Sequence, residues 1–291
     1  MGSAAFEAWR REGQRFEHCG HAIAVVERGR GDALLAIHGF PSASWDWHAI
    51  LPGLTQRFRV IAPDLLGFGW SDKPRPFRYS ILDQADRLEA LLAARSVARV
   101  HLLAHDYGDT VAQELLARHE QRRGGGLAIA SCVMLNGGLF PECHHPRPIQ
   151  RLLATPLGPV VARLSSRRTL ARGLYAIFGR ETPPSPEFVD ELWTLLRHAD
   201  GHRVLPLLID YIRERRVQRS RWVGALQQTA VPLAFVDGAA DPVSGADMIA
   251  RWRELLPRAE VTPLPGVGHY PQIEAPAAVL AAVLGFHDRL A

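Results

Sequence analysis

The stretch from Arg99 to His105 is apolar enough to form a buried strand, and it ends in the sequence Ala104-His105-Asp106-Tyr107-Gly108. Residues from Gly108 to His119 then have the apolar spacing of a helix. The turn between strand and helix must therefore be tight, and the small residues Ala104 and Gly108 permit backbone crowding on either side of Asp106. Such a turn lifts its central side chain above the sheet, where a carboxylate can attack a carbon atom.

Apolar runs of strand length alternate with helical patterns along most of the chain. This alternation is typical of an α/β fold with a mostly parallel sheet flanked by helices. The predicted strands are Ile23 to Glu27, Leu34 to His38, Val60 to Pro63, Val100 to Ala104, Ser131 to Leu135, Leu233 to Asp237 and Glu260 to Leu264. The predicted helices include Ile81 to Ala94, Gly108 to Arg118, Ser244 to Leu256 and Pro276 to Arg289.

The alternation stops between Asn136 and about Thr229, where prolines interrupt helical segments and no strand pattern is found. It resumes at Val231-Pro232-Leu233. A helical insertion of this kind predicts a cap over the sheet. We therefore expect a core domain of residues 1–138 and 230–291 and a helical cap domain of residues 139–229.

Bulk composition is typical of a soluble globular protein. The chain has 291 residues, of which 47% are hydrophobic and 22% are charged, and no apolar run reaches the roughly 18 residues that span a bilayer. The first twelve residues lack the apolar core of a signal peptide, so we expect a cytoplasmic protein. Neither the composition nor any motif predicts an oligomeric state.

Three cysteines, Cys19, Cys132 and Cys143, have irregular spacing and no CxxC pair, so neither a disulfide framework nor a zinc cluster is predicted. We expect no metal and no cofactor. The net charge of +4 comes almost wholly from arginine, because Lys73 is the only lysine. This pattern is more typical of coding bias than of nucleic-acid binding. The densest basic cluster favours a solvated helix face, with a pocket mouth for anionic substrates as the alternative; it comprises Arg213, Arg215, Arg216, Arg219 and Arg221.

Two further residues are suited to work with Asp106. His269 lies in the glycine-rich loop Gly266-Val267-Gly268-His269 after the last predicted strand, and it is the predicted general base. Asp241 follows the strand before that one and would orient the imidazole, which places nucleophile, acid and histidine in that order along the chain. Asn136 follows another strand, but an amide cannot balance an imidazolium, so Asp241 is preferred.

Backbone amides are predicted to hold the oxyanion of a later step. The loop His38-Gly39-Phe40-Pro41 follows a strand and can direct the Phe40 amide at that oxygen, and Tyr107 supplies the second amide. The Phe40-Pro41 bond is a candidate cis peptide. Other polar residues near these motifs favour structural roles: His38 and His105 as hydrogen-bonded supports, and Asp64, Asp72 and Asp109 as turn or loop anchors. Asp109 could also raise the pKa of Asp106 by repulsion or face solvent.

Taken together, these elements resemble the α/β-hydrolase superfamily, in the branch that holds epoxide hydrolases and haloalkane dehalogenases. From about residue 20 to the end, the chain also resembles the mesoderm-specific transcript proteins. The motifs that carry the resemblance are His38-Gly39-Phe40-Pro41, Trp45-Asp46-Trp47, the run from Asp64 to Pro74, His105-Asp106-Tyr107-Gly108-Asp109, Leu135-Asn136-Gly137-Gly138, the run from Arg221 to Leu226, and Gly268-His269-Tyr270-Pro271.

The branch implies a small-molecule substrate and a two-step reaction. Asp106 displaces a leaving group from carbon and forms a covalent alkyl ester, and water activated by His269 then releases it. Ordinary carboxylic esters are disfavoured substrates, because carboxylate attack would give an anhydride. The resemblance favours an epoxide hydrolase, with a haloalkane dehalogenase as the alternative and a slow or non-catalytic binding module as a second one.

The leaving group is expected to decide which side chains of the cap contact the substrate. Epoxide hydrolases donate a proton from cap tyrosines, and Tyr211 is the predicted donor with Tyr175 as second choice; a packing role under the cap is the alternative for Tyr211. Dehalogenases hold halide with indole groups, which Trp193 or Trp222 would supply, although packing is the favoured role of both. However, Tyr107 and Phe40 replace the tryptophan and asparagine that many dehalogenases carry, so halide release is disfavoured.

Overall fold

One eight-stranded sheet organises the computed structural model, which describes residues 2–122 and 125–290. The strands are β1 (Gln14–His18), β2 (His21–Arg28), β3 (Asp32–Ile37), β4 (Phe58–Pro63), β5 (Arg99–His105), β6 (Ala128–Leu135), β7 (Leu233–Gly238) and β8 (Glu260–Leu264). Their order across the sheet is β1-β2-β4-β3-β5-β6-β7-β8. β2 runs antiparallel to both of its neighbours, and the pairs from β4 to β8 are parallel.

Helices cover both faces of this sheet. They are α1 (Ala4–Glu12), α2 (Leu51–Leu54), α3 (Ile81–Ala94), α4 (Tyr107–Arg122), α5 (Pro148–Leu153), α6 (Gly158–Arg163), α7 (Arg167–Tyr175), α8 (Pro186–Arg197), α9 (Leu205–Leu208), α10 (Tyr211–Val217), α11 (Arg219–Gln228), α12 (Ala246–Leu255), α13 (Pro271–Glu274) and α14 (Pro276–Asp288). Short 3-10 helices add Ser44–Trp47 and His198–Val204. None of the helices in the described ranges combines the length and the apolar character that a bilayer crossing requires.

The central strands are buried because side chains on both of their faces pack against helices. In β3, Leu35 and Ile37 belong to one apolar cluster, which includes residues of α3 and α4. Leu34 and Ala36 point to the opposite face, where residues of α1, α2 and α14 complete a second cluster. A strand with this environment is a nearly continuous apolar run, which is why the sequence pattern located it.

Serine residues mark the beginning of two of the helices. The Ser80 hydroxyl accepts a hydrogen bond from the Asp83 amide at 3.1 Å, so α3 begins after it. Ser185 caps α8 in the same way through the Phe188 amide at 3.0 Å. Each cap satisfies a backbone donor that the first helical turn leaves without a partner.

The predicted α/β fold is confirmed, and the predicted strands all lie within or overlap observed ones. The pattern missed α1 and β1 at the amino-terminal end. β1 consists of Gln14, Arg15, Phe16, Glu17 and His18 and is largely exposed at the edge of the sheet, so it contains no apolar run. Helix bounds differ by a few residues, since α4 extends to Arg122 and α12 covers only Ala246–Leu255.

A helical insertion, α5 to α11, separates β6 from β7. It lies within the segment in which the sequence pattern found no strand, Asn136 to about Thr229. Its helices pack against the rest of the chain at α4, which contacts α11. The division of the chain into core and cap domains remains a prediction.

Candidate active site

Asp106 occupies the turn between β5 and α4 with a φ of +47°, in the left-handed region that few non-glycine residues adopt. The turn is tight because Gly108 lies against the neighbouring strand. A Cβ on Gly108 would come 2.2 Å from the Ile37 carbonyl oxygen, which no real side chain could tolerate. Strain of this kind concentrates at functional sites, where the surrounding structure holds it in place.

The Asp106 carboxylate is buried and partly hydrogen-bonded. Its side chain accepts a hydrogen bond at Oδ2 from the Phe40 amide over 3.1 Å. Burial opposes ionisation, but the positive charges of Arg215 and His269 outweigh it and hold the pKa of Asp106 below its ordinary value. The carboxylate is therefore ionised at neutral pH, and Oδ1 is the oxygen that the Phe40 amide leaves free.

Arg215 was expected on a solvated helix face, and this expectation is wrong. Its side chain, on α10, is only 2% exposed. Its Nη2 donates to the Asp106 carbonyl oxygen at 2.8 Å and lies 3.4 Å from Oδ1, while Nε donates to Thr110 Oγ1 at 2.6 Å. Three of the other arginines in the cluster do form ion pairs, namely Arg213 with Asp210, Arg219 with Glu142 and Arg221 with Glu114.

His269 and Asp241 form a buried pair next to Asp106. His269 Nδ1 lies 2.8 Å from Asp241 Oδ2. Burial disfavours the charged imidazole, but Asp241 outweighs this effect and raises the pKa of His269 to about 9. Asp106 contributes to the same rise, so the charge of the carboxylate and the protonation of the imidazole depend on each other.

The Asp241 carboxylate is held rigidly. It accepts hydrogen bonds from the Val243 amide at 2.8 Å, the Ser244 hydroxyl at 2.9 Å and Asn136 Nδ2 at 3.1 Å. Asn136 thus contacts the acid as a hydrogen-bond donor. The arrangement fixes one oxygen for His269, as the orienting acid of such a site requires.

The loop after β3 places the Phe40 amide, one of the two predicted oxyanion donors, against the Asp106 carboxylate. The Phe40-Pro41 bond is cis, as the sequence suggested. His38 supports this loop, because its Nε2 accepts a hydrogen bond from the Leu65 amide at 2.9 Å. Tyr107 is the first residue of α4, so its amide is one of the free donors at a helix start.

His105, Asp64 and Asp72 support the loops near these motifs. His105 Nε2 lies 2.8 Å from the His269 carbonyl oxygen and thereby positions that loop. Asp64 and Asp72 accept backbone hydrogen bonds, from the Ser44 and Ala22 amides respectively, as loop anchors do.

Asp109 is fully buried, and the described residues offer its carboxyl no hydrogen bond. Burial and the charge of Asp106 raise the pKa of Asp109 well above the ordinary value. Repulsion between the two carboxylates therefore raises the pKa of Asp109. Asp109 is not exposed to solvent, and the pKa of Asp106 is not raised.

A cavity of about 420 Å³ lies between the helical insertion and the end of the sheet. Phe40, His269 and Tyr270 bound it on the side of the sheet, and the Phe40 amide binds Asp106, so the cavity ends next to the carboxylate. Asp106 itself is 2% exposed and does not line the cavity. Most of the wall is apolar, which is typical of sites for small organic ligands.

The aromatic residues predicted to contact substrate occupy different environments. Tyr211 is buried, with its ring 4.9 Å from that of Tyr107 and its hydroxyl without a hydrogen-bond partner among the described residues. Trp193 lines the cavity. The structure does not bring the other three to the cavity wall: Tyr211 packs beside Phe40, Tyr175 is 56% exposed, and Trp222 is buried elsewhere, donating from Nε1 to Glu114.

The sequence did not assign two of the residues near Asp106, Arg215 and His144, to the site. Arg215 follows Tyr211 by four residues and so shares its helix face, which was the available signal. His144 is buried beside Gly138, and burial and the charge of Arg215 lower its pKa to about 3. No local pattern marks His144. Among the described residues, no group of three or more His, Cys, Asp or Glu side chains could hold a metal ion.

Comparison with known proteins assigns the family. A profile of the alpha/beta hydrolase fold matches residues 32–157. The mesoderm-specific transcript protein of Mus musculus is 42% identical over 98% of this chain and 88% of its own length. The chain belongs to the α/β-hydrolase fold family. "Putative hydrolase LipZ" of Mycobacterium tuberculosis, a relative in this family, is 43% identical over 98% of both chains.

Solved structures of the α/β-hydrolase fold superpose on most of the chain. Epoxide hydrolase CorEH has a TM-score of 0.80 with 20% identity, covering 96% of this chain and 99% of its own. Haloalkane dehalogenase DbeA from Bradyrhizobium elkani has a TM-score of 0.78 with 24% identity, covering 94% and 96%. At these identities the likeness shows the fold alone, and both chemistries occur on it.

Proposed function

We propose that the protein is a hydrolase that forms a covalent ester on Asp106 and acts on epoxides, converting them to vicinal diols. One observation carries the proposal: an ionised carboxylate sits in a strained turn, with one oxygen on the Phe40 amide and the His269–Asp241 pair beside it. An alcohol nucleophile would need a base before it could react. A carboxylate is already a nucleophile, so the base is free to act on water in a second step.

In the first step, Oδ1 of Asp106 forms a bond to an epoxide carbon, and the carbon–oxygen bond of the ring breaks. The electron pair stays on the ring oxygen, which takes the proton of the Tyr211 hydroxyl. Burial and then the charge of Asp106 raise the pKa of Tyr211, so the phenol is protonated in the free enzyme. Ester formation removes that carboxylate charge, so the pKa of Tyr211 falls during ring opening, when the ring oxygen takes the phenol proton.

Arg215 stabilises the negative charge that leaves Asp106. Its Cζ lies 4.5 Å from the centre of the Tyr211 ring and its Nη2 lies 3.4 Å from Oδ1. Arg215 is therefore near both the carboxylate that loses negative charge and the phenol that gains it. When Asp106 becomes a neutral ester, the guanidinium loses its counter-ion. The phenolate or the developing alkoxide then replaces that counter-ion within the same buried site.

In the second step, water attacks the ester carbonyl of Asp106 and gives its proton to His269. The Phe40 and Tyr107 amides hold the oxyanion, and collapse breaks the bond to the alkyl oxygen, which takes the proton back from His269. Asp106 is then a carboxylic acid, and its proton returns to the Tyr211 phenolate, which restores both groups for the next turnover. His269 must be neutral to accept a proton, yet its pKa is about 9 in the free enzyme. Loss of the Asp106 charge lowers this pKa, so ester formation itself prepares the base.

Access to Asp106 requires movement at the inner end of the cavity. The carboxylate is almost fully buried and does not line the cavity, whereas Phe40, whose amide binds the carboxylate, forms part of the cavity wall. We infer that a bound substrate displaces the Phe40 ring, which packs against Phe68 and Tyr211.

The test is to trap the ester. His269→Gln should slow hydrolysis, so that a panel of terminal epoxides and primary haloalkanes leaves an adduct on the peptide that contains Asp106. An epoxide adds its whole mass, whereas a haloalkane adds its mass less that of the hydrogen halide. The double variant Asp106→Asn/His269→Gln is the control and should carry no adduct.

The results separate the alternatives. Adducts from haloalkanes alone would replace the epoxide assignment with the dehalogenase one, for which Trp193 on the cavity wall is the available indole. An adduct on another residue, or none from any compound while the folded variant keeps its melting temperature, would overturn the proposal and favour a binding module.

A further inference from the structure

The basic charge of this chain is concentrated in one segment of the helical insertion. Residues 143–180 contain seven arginines and no aspartate, glutamate or lysine, which gives +7. The whole chain carries +4, so the remaining residues sum to −3. A uniform coding bias towards arginine would raise the count everywhere and would not remove acids from 38 consecutive residues.

Most of these arginines are free to meet a partner. Arg151, Arg163, Arg168, Arg172 and Arg180 are exposed, and Arg147 is half-buried. Only Arg167 of the seven forms an ion pair within the described ranges, with Asp190. Elsewhere in the chain, clustered arginines such as Arg213 and Arg219 have carboxylate partners.

The same segment exposes apolar side chains. Six of the ten exposed large hydrophobic residues in the described part of the chain lie in it, namely Ile149, Leu152, Leu157, Val160, Leu164 and Tyr175. Leu157 is 61% exposed and Leu164 is 75% exposed. Leu157, Val160 and Leu164 have helical spacing and so form one stripe along α6. We call these six side chains and the five exposed arginines the insertion face.

The insertion face and the wall of the cavity beside Asp106 share residues. Ile149 and Arg172 are exposed members of the insertion face, and both also line the cavity. Arg147 lies on the same wall. A molecule held on the insertion face would therefore meet the mouth of the cavity.

We propose that the insertion face docks on an anionic phospholipid bilayer and that substrate enters the cavity from the membrane. Exposed aliphatic side chains interleaved with arginine are the composition of helices that lie in a membrane interface. Each arginine near an anionic surface strengthens binding by about fivefold. A second copy of this chain is disfavoured, because a symmetric dimer would place two acid-free basic faces against each other.

The substrate class follows from this placement and rests on the proposed function. A bilayer supplies molecules with long apolar chains, and the cavity wall is largely apolar. We infer that the electrophile is carried on a lipid-like chain, such as an epoxide within a fatty acyl group. Docking itself requires no reaction, so the membrane-docking proposal and the proposed function can each be refuted without the other.

The test is partition onto vesicles in the absence of substrate. The full chain is sedimented with vesicles of phosphatidylcholine alone or with about 30 mol% phosphatidylglycerol, at about 0.1 M and about 0.5 M NaCl. We expect binding to the anionic vesicles that weakens at high salt, and little binding to the neutral ones. Arg151→Gln/Arg163→Gln should weaken partition by about 20-fold, and Leu157→Ser/Leu164→Ser by at least about fivefold.

Matched controls lie elsewhere on the surface. Arg253 and Arg258 are exposed on and after α12, and Val217 is 66% exposed at the end of α10. The variants Arg253→Gln/Arg258→Gln and Val217→Ser should bind vesicles like the wild type. Melting temperatures of all variants exclude loss of fold as the cause.

Three results would overturn the docking proposal. The first is absence of partition onto either vesicle type, and the second is equal loss of partition in the control variants. The third is a stable dimer in solution that Leu157→Ser/Leu164→Ser dissociates, since the face would then be a subunit interface. In each case the ester-trapping experiment still reports on Asp106 independently.

Discussion

Arg215 donates to the Asp106 carbonyl oxygen over 2.8 Å and lies 3.4 Å from its carboxylate, although 109 residues separate the two in the chain. The contact joins the helical insertion to the turn after β5. It places a permanent cation beside the proposed nucleophile, and this explains how a fully buried carboxylate keeps a pKa below its ordinary value.

Replacing Arg215 should therefore affect both reactivity and stability. Arg215→Gln should slow ester formation by roughly 100-fold, since one charge-stabilising donor is lost. It should also cost about 3–5 kcal/mol of folding free energy, because the buried Asp106 carboxylate would lose its permanent counter-ion and keep only His269. The rate is measured as adduct formation in the His269→Gln background, and the stability by chemical denaturation.

Arg213→Gln is the matched control, because Arg213 lies on the same helix and is exposed. It should leave the rate and the stability nearly unchanged. If Arg215→Gln formed ester at the wild-type rate, the guanidinium would have only a structural role.

Tyr211 provides a test of the leaving group. Tyr211→Phe removes the predicted proton donor and should slow epoxide opening by about 100-fold or more, while haloalkane reactions should be unaffected. Stability should change little, because the hydroxyl has no hydrogen-bond partner among the described residues. Tyr175→Phe at an exposed position is the control. Equal epoxide rates in both variants would remove Tyr211 from the mechanism.

The two steps should respond differently to pH. Ester formation needs ionised Asp106, whose pKa is below the ordinary value, so it should be nearly constant from about pH 5 to about pH 8. Ester hydrolysis needs neutral His269, and protonation of the imidazole at lower pH removes the base. Hydrolysis should thus accelerate as pH rises, levelling at the pKa of His269 in the ester, which lies below about 9.

Rapid quenching and mass analysis of the wild type during turnover measure the fraction of enzyme that is present as the Asp106 ester. The fraction of enzyme carrying an adduct should be high at about pH 5 and fall towards about pH 8. An adduct fraction that rises with pH would contradict the assignment of His269 as the base.

Gly108 should tolerate no side chain. Gly108→Ala would place a Cβ 2.2 Å from a backbone oxygen of β3, so the turn must shift and the protein should lose several kcal/mol of stability. Gly224→Ala is the control, because a Cβ there meets nothing closer than 3.7 Å and alanine favours helix by up to about 1 kcal/mol. Thermal melting distinguishes the two variants: the midpoint of Gly108→Ala should fall, and that of Gly224→Ala should stay unchanged or rise. Unchanged melting of Gly108→Ala would show that the turn is less constrained than described.

Local patterns predicted much of the fold because its parallel strands are continuous apolar runs. They also predicted the connections on which Asp106, Asp241 and His269 lie, since Asp106 directly follows β5 and the other two lie in the loops after β7 and β8. The ends of parallel strands meet at one edge of a sheet, so the side chains were expected to gather there. The polar edge strand β1 was missed because exposure leaves no apolar signal.

The sequence by itself determined the family, the strained turn and the identity of the acid and base candidates, because these depend on residues adjacent in the chain. Only the tertiary structure decided that Tyr211 is buried while Tyr175 is exposed, that Asp109 is buried without a hydrogen bond, and that Arg215 contacts Asp106. The physical reason is that helix periodicity tells which residues share a face. Which face meets the sheet depends on the packing of elements that are distant in the chain.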